Sequence, residues 1–153
     1  MEATKKIFYP GSFNPFTEGH ADIVRRLAKL GYYVIIGIGI NAEKESSGEE
    51  HCGEGPIKDF LRREGLEQKA EVITYSGLTA QEAFDRGACC MARGVRSGTD
   101  FEYEFSIASA NRDAFGIETL LLPADPSLSF VSSTIVRDLQ RHGREDIAKK
   151  YLP

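Results

Sequence analysis

The sequence predicts an α/β protein: a single-domain, doubly wound parallel sheet of five strands. Three observations carry this. Short apolar, β-branched runs alternate with stretches of helical periodicity along all 153 residues. The longest run, Tyr33 to Ile40, is apolar throughout, the pattern of a strand covered on both faces. No internal repeat or linker divides the chain, and its length suits one domain over residues 1–153.

The elements follow in order. Ile7-Phe8-Tyr9, ended by Pro10-Gly11, reads as the first strand. Ile23, Val24, Leu27 and Leu30 recur at helical spacing, and Gly31 supplies the stop. Tyr33 to Ile40 is the second strand. Helical pattern resumes at Ile57, Phe60 and Leu61. Ala70 to Tyr75 is the third strand, and Thr79 with Glu82 has capping-box spacing for a helix ending at Gly87. Cys89-Cys90-Met91-Ala92 is the fourth strand. Thr99 and Glu102 repeat the capping-box spacing ahead of Phe101, Phe105, Ala108 and Phe115. Thr119 to Leu122 is the fifth strand, closed by Pro123. Ser132-Ser133 then caps a helix carrying Ile135, Val136 and Leu139.

Composition narrows the class. Nineteen Lys and Arg against 23 Asp and Glu give a net charge of −4, which disfavours nucleic acid and anionic membrane as partners. The imbalance is local: residues 43–54 hold five Glu and one Lys, a divergent acidic stretch that reads as a solvated loop. No apolar run approaches the ~20 residues of a membrane span, and no apolar signal core follows Met1. Three cysteines, two of them adjacent, make no disulfide or zinc pattern. The expectation is a reduced, cytoplasmic protein with Cys89 and Cys90 as core residues, Cys52 without a redox role, and His51 and His142 at the surface.

In a doubly wound sheet, ligands bind beyond the carboxyl ends of the strands. After the first strand stands Gly11-Ser12-Phe13-Asn14-Pro15-Phe16-Thr17-Glu18-Gly19-His20. Gly11 permits a tight turn, and Gly19 lets an anion approach the helix start, where unpaired N–H groups attract phosphate. His20 lies in that first turn, placed to donate a hydrogen bond to a phosphoryl oxygen as charge develops. After the fourth strand, Arg93 and Arg96 flank Gly94 and are able to fork onto phosphates or to pair with nearby acidic residues. Glu104 on the next helix suits a salt bridge to an arginine. Ser132, Ser133 and Thr134 offer hydroxyls at another helix start.

The run from Gly11 to His20 resembles the T/HxGH signature of the nucleotidylyltransferases, and with it their Rossmann-like fold. Three further blocks narrow the resemblance to the bacterial phosphopantetheine adenylyltransferases: Ala92 to Arg96; Asp100 to Glu104 with Asn111-Arg112; and Ser129 to Arg137. The resemblance implies adenylyl transfer from ATP to 4′-phosphopantetheine, giving dephospho-coenzyme A and pyrophosphate. It implies His20 as the catalytic residue. It implies Ser12, Lys44, Thr79 and Arg93 for the acceptor. For ATP it implies Ser12, Phe13, His20, Gly94, Val95, Arg96, Glu104 and the run Leu128, Ser129, Phe130, Val131, Ser132, Ser133, Thr134. It further implies Mg²⁺ carried on the ATP phosphates without dedicated protein ligands, a homo-hexamer, and feedback binding of coenzyme A.

Two departures from the family pattern stand out. Asn14 replaces the usual Asp, and the segment after Lys44 lacks the family's aromatic residue. They keep two alternatives open: a nucleotidylyltransferase using another phosphate acceptor, such as nicotinamide mononucleotide, and a weakened nucleotide-binding paralogue.

Overall fold

Alternation of apolar side chains along each strand is what joins this chain into one sheet with two covered faces. The computed structural model describes residues 3–41 and 53–153. Most of the acidic stretch, and with it Lys44, His51 and Cys52, lies outside the described residues.

The strands are β1 (Lys6–Gly11), β2 (Tyr33–Gly39), β3 (Ala70–Tyr75), β4 (Cys90–Val95) and β5 (Glu118–Pro123). They form a five-stranded sheet in the order β3-β2-β1-β4-β5. Every neighbouring pair is parallel, as the sequence predicts. The helices are α1 (Glu18–Lys29), α2 (Gly55–Arg63), α3 (Thr79–Asp85), α4 (Gly98–Phe115), α5 (Ser133–Arg141) and α6 (Glu145–Ala148). The chain winds from β1 out to β3 and returns to β4 on the other side of β1. The switch point therefore lies between β1 and β4, where a ligand is expected beyond the strand ends.

Period-two alternation divides the core. Ile7, Tyr9, Val34, Ile36, Ile38, Cys90 and Ala92 face one side, where α1 brings Ile23, Val24 and Leu27 and α2 brings Ile57 and Phe60. Phe8, Ile35, Ile73, Tyr75 and Met91 face the other, against Ala80 and Ala83 of α3. One contact fixes residue size in β2: a Cβ on Gly37 would collide with the Phe8 ring. Only glycine lets that ring, fully buried, lie across the neighbouring strand.

The helix starts differ from the sequence expectation. α3 begins after Leu78 with no side-chain cap, and the Thr79 hydroxyl instead pairs with the Tyr75 hydroxyl at 2.8 Å. Glu82 pairs with Arg86. α4 is capped by Ser97, whose hydroxyl accepts from the Asp100 N–H, so the Thr99–Glu102 pair is not a cap. The Ser132 cap of α5 is as expected, accepting from Ile135. β4 starts at Cys90, which is buried, whereas Cys89 lies outside the strand and is exposed, not in the core. His142 is exposed at the end of α5, as expected.

α4 is anomalous for its length. Of its 18 residues only Glu104 is fully buried, while Phe101, Tyr103, Phe105 and Ile107 are exposed. Among the described residues no helix is long and apolar enough to cross a membrane.

The Gly37 contact predicts a size effect. Gly37→Ala should lower stability by about 1–3 kcal/mol, the range for overpacking a filled core. Gly98→Ala has open space around its Cβ and should leave the thermal midpoint unchanged or slightly raised. Thermal denaturation followed by circular dichroism checks both.

Candidate active site

The turn from β1 into α1 is built by aromatic packing. A Cβ on Gly11 would stand 2.9 Å from the Phe13 ring, so glycine there admits the ring over the strand end. Phe13 adopts a left-handed φ of 47°, which a side chain rarely tolerates. Burial offsets that strain: its ring packs edge-on against Tyr9, Phe16 and His20, with centroids 5.3, 5.7 and 4.9 Å away. Phe16 stacks on the other side of the His20 ring at 5.7 Å.

Thr17 caps α1. Its hydroxyl accepts from the His20 N–H, and its own backbone N–H donates to His20 Nδ1 at 2.9 Å. This is a capping box with histidine in the place usually held by Glu or Gln. Because Nδ1 accepts, the ring proton sits on Nε2. Removal from water, reinforced by the positive charges of Arg93 and Arg96, lowers the His20 pKa to about 3. The imidazole is therefore neutral at physiological pH and is an N–H donor lining the cleft.

β4 carries Arg93 inside the strand, not after it as the sequence suggests, because the strand runs on to Val95; Arg96 follows directly. Arg93 Nε donates to both Glu104 oxygens at 3.1 and 3.0 Å, and Nη2 donates to Oε1 at 2.8 Å. Its third arm, Nη1, donates to the Pro10 carbonyl at the end of β1. Arg96 pairs with Asp100 at 2.9 Å and reaches the Val131 carbonyl at 3.4 Å. From α5, Ser133 donates to the Pro15 carbonyl at 2.8 Å and Arg137 donates to the Asn14 carbonyl. The β1–α1 turn is thereby held from both β4 and α5.

These parts enclose a cleft of about 300 Å³ beyond the ends of β1 and β4. Of the residues expected from the sequence, Ser12, Phe13, His20, Arg93, Gly94, Arg96, Glu104, Leu128, Val131, Ser132, Ser133 and Thr134 all line it. Thr79 lines an adjoining cavity of about 190 Å³ that shares Pro10, Gly11, Arg93 and Glu104 with the first. Val95, Ser129 and Phe130 line neither cavity. The Ser129 hydroxyl turns back to the Pro126 carbonyl, and the Phe130 ring packs on Tyr151.

Cleft residues beyond the sequence expectation include Thr17, Asp100 and Arg137. Thr17 was hidden because its capping partner is His20, outside the usual Ser/Thr-x-x-Glu/Gln pattern. Asp100 lies on the first turn of α4, four residues after its partner Arg96. Arg137 stands three and four residues after Thr134 and Ser133, so helical spacing puts it on their face. The two carboxylates of the cleft, Asp100 and Glu104, are each paired to an arginine. Among the described residues no group of three His, Cys, Asp or Glu is arranged to hold a metal.

A parallel sheet with a cleft beyond its switch point, lined by helix starts, arginines and a neutral histidine, is a setting in which α/β proteins bind nucleotides. The sequence model of the Cytidylyltransferase-like family matches residues 8–139, most of the chain. A Porphyromonas gingivalis phosphopantetheine adenylyltransferase is 44% identical over 146 residues, spanning 95% of this chain and 92% of the relative. One from Flavobacterium johnsoniae is 45% identical over 141 residues, spanning 92% and 91%. The chain belongs to the phosphopantetheine adenylyltransferase family. Its fold is also that of a Plasmodium falciparum nicotinic acid mononucleotide adenylyltransferase complexed with NaAD. That structure has TM-score 0.58 and 13% identity, covering 98% of this chain and 91% of its own.

Two predictions follow from this geometry. In a proton NMR titration the His20 ring signal should stay at its neutral position through pH 5 and move only toward about pH 3. The folded pKa lies below the unfolded value of ~6.5. The associated stability is thus complete above that pH and is lost as pH falls from there toward 3. Glu104→Gln leaves the half-buried Arg93 without its counter-charge and should cost about 1–3 kcal/mol in denaturant unfolding.

Proposed function

We propose that this chain transfers the adenylyl group of ATP to 4′-phosphopantetheine, releasing pyrophosphate and dephospho-coenzyme A. The observation that carries the reading is the His20 side chain: neutral, fixed as the Nε2–H tautomer, and set among N–H and hydroxyl donors at one cleft.

The acceptor phosphate is a nucleophile already ionised near neutral pH, its second pKa being about 6. It attacks the α-phosphorus, and pyrophosphate leaves on the opposite side. The protein need not take a proton; its task is to align the groups and stabilise charge. His20 donates Nε2–H to an α-phosphoryl oxygen as negative charge builds there. Ser12 stands at the end of β1 between nucleotide and acceptor. Gly94, Arg96, Leu128 and Val131 to Thr134 flank the nucleotide, and the N-terminus of α5 accepts its phosphates. Arg93, with Thr79 in the adjoining cavity, holds the acceptor, and Glu104 keeps Arg93 aimed. Lys44 is assigned to the reacting phosphates from the family resemblance alone.

Mg²⁺ is proposed as the counter-ion of ATP, carried on its phosphate oxygens. This fits a cleft whose carboxylates are engaged by arginines, and an ion that binds through substrate phosphates while keeping most of its waters. We place the reaction in the cytoplasm, with coenzyme A as a feedback ligand of the same cleft. The exposed aromatic face of α4 supports assembly of the chain into a homo-hexamer.

Pyrophosphate release with ATP, Mg²⁺ and a panel of acceptors tests the reaction. Turnover is expected with 4′-phosphopantetheine and not with nicotinamide mononucleotide; the reverse preference would overturn the reading. His20→Ala should lower kcat by about 10²–10³, the usual cost of one oxyanion donor, while ATP still binds by calorimetry. Light scattering tests the assembly: Phe105→Glu should release smaller species.

A further inference from the structure

The fold brings two thiols together far from the nucleotide cleft. Cys89 and Cys90 have their Sγ atoms 3.6 Å apart. Adjacent residues within a strand point to opposite faces, so such a pair should diverge. It does not, because β4 begins at Cys90 and Cys89 lies in the bend before it. The Cys89 N–H donates to the Lys6 carbonyl at 2.8 Å, which docks the bend beside the start of β1. Cys90 sits opposite Ile7 in the register and is 7% exposed, while Cys89 is open to solvent. This is the amino end of β4, whereas Arg93, Gly94 and Arg96 line the cleft at its carboxyl end.

We infer that Cys89 and Cys90 form a chelating dithiol site for a trivalent arsenical, a soft, three-coordinate thiophilic ligand. Thiol sulfur favours soft partners. The exposed thiol captures the ligand, and the second thiol then bonds within the same molecule, at high effective concentration. Direct disulfide formation is the less favoured fate of this pair. Neighbouring Cα atoms are about 3.8 Å apart across a trans peptide, shorter than the ~4.4–6.8 Å that disulfides usually span. An atom inserted between the sulfurs relieves that restriction. The step balances without an oxidant. An organoarsenic(III) oxide forms two As–S bonds and loses its As–O bonds. Both thiol protons leave on that oxygen as one water, and arsenic remains trivalent. Burial and the hydrogen bond with Cys89 push the Cys90 pKa up to about 12, so this thiol gives up its proton only as its As–S bond forms.

Phenylarsine oxide is the probe, used on the full chain with Cys52→Ser so that only the pair reports. Native mass spectrometry should show one adduct, smaller by one water than the sum of the two partners. Titration of thiols should fall from two to none. The adduct should resist excess monothiol and yield to a dithiol. Adding Cys89→Ser, an exposed position whose change leaves the core intact, should weaken retention at least ~10-fold and make the adduct labile to monothiol. Cys90→Ser should do the same, with circular dichroism confirming its fold. The inference is overturned if the Cys52→Ser protein takes no adduct. It is equally overturned if the Cys89→Ser protein retains the arsenical as firmly.

Discussion

Arg93 ties together three of the elements that line the cleft, β1, β4 and α4. Two of its arms grip Glu104 on α4, and the third reaches the Pro10 carbonyl at the end of β1. Proline there offers no N–H to the strand ladder, but its carbonyl becomes the anchor for β4. The pair is costly to assemble, since Glu104 is nearly inaccessible and carries charge. The three-way geometry accounts for why it persists: every arm of the guanidinium has an acceptor. Remove it, and the strand ends on either side of the switch point lose their only described side-chain connection through this residue.

Around that link the remaining parts divide the work. The aromatic rings of Phe13 and Phe16 pack against the half-buried His20 ring at the cleft wall, while Thr17 fixes its tautomer. Arg96 closes toward Val131, and α5 clamps the β1–α1 turn through Ser133 and Arg137. The adjoining cavity opens on the other side of the Arg93–Glu104 pair. One salt bridge thus stands as the wall between the two chambers, touching whatever occupies either.

Much of this was legible in the sequence because it depends on local pattern. Strand runs such as Val34 to Ile38 and the parallel order follow from apolar periodicity and from helices between strands. His20, Arg93, Arg96 and Ser132 to Thr134 stand toward the carboxyl ends of strands or at helix starts, where ligand chemistry concentrates. What was not legible depends on contacts across the chain. Thr79 looked like a cap, but its hydroxyl found Tyr75 instead. The sequence left Arg93 open to a phosphate or to an acidic neighbour; only the fold shows that its partners are Glu104 and the Pro10 carbonyl. Cys89 read as a core residue because strand limits are uncertain by a residue or so, and one position decided its exposure. The neutral state of His20 depends on rings and charges that only the fold assembles.

The pairing of the cleft's ions has a consequence for how it meets its ligand. Among the described lining residues Arg93 and Arg96 are offset by Glu104 and Asp100, and His20 is uncharged, which leaves Arg137 as the net positive charge. A highly charged triphosphate is therefore received less by bulk attraction than by aimed N–H and O–H groups at the starts of α1 and α5. Dissolved salt screens net charge over about 10 Å at 0.1 M, but it does not unmake short, oriented hydrogen bonds. Ionic strength should accordingly tell more on how fast the nucleotide arrives than on how firmly it is held.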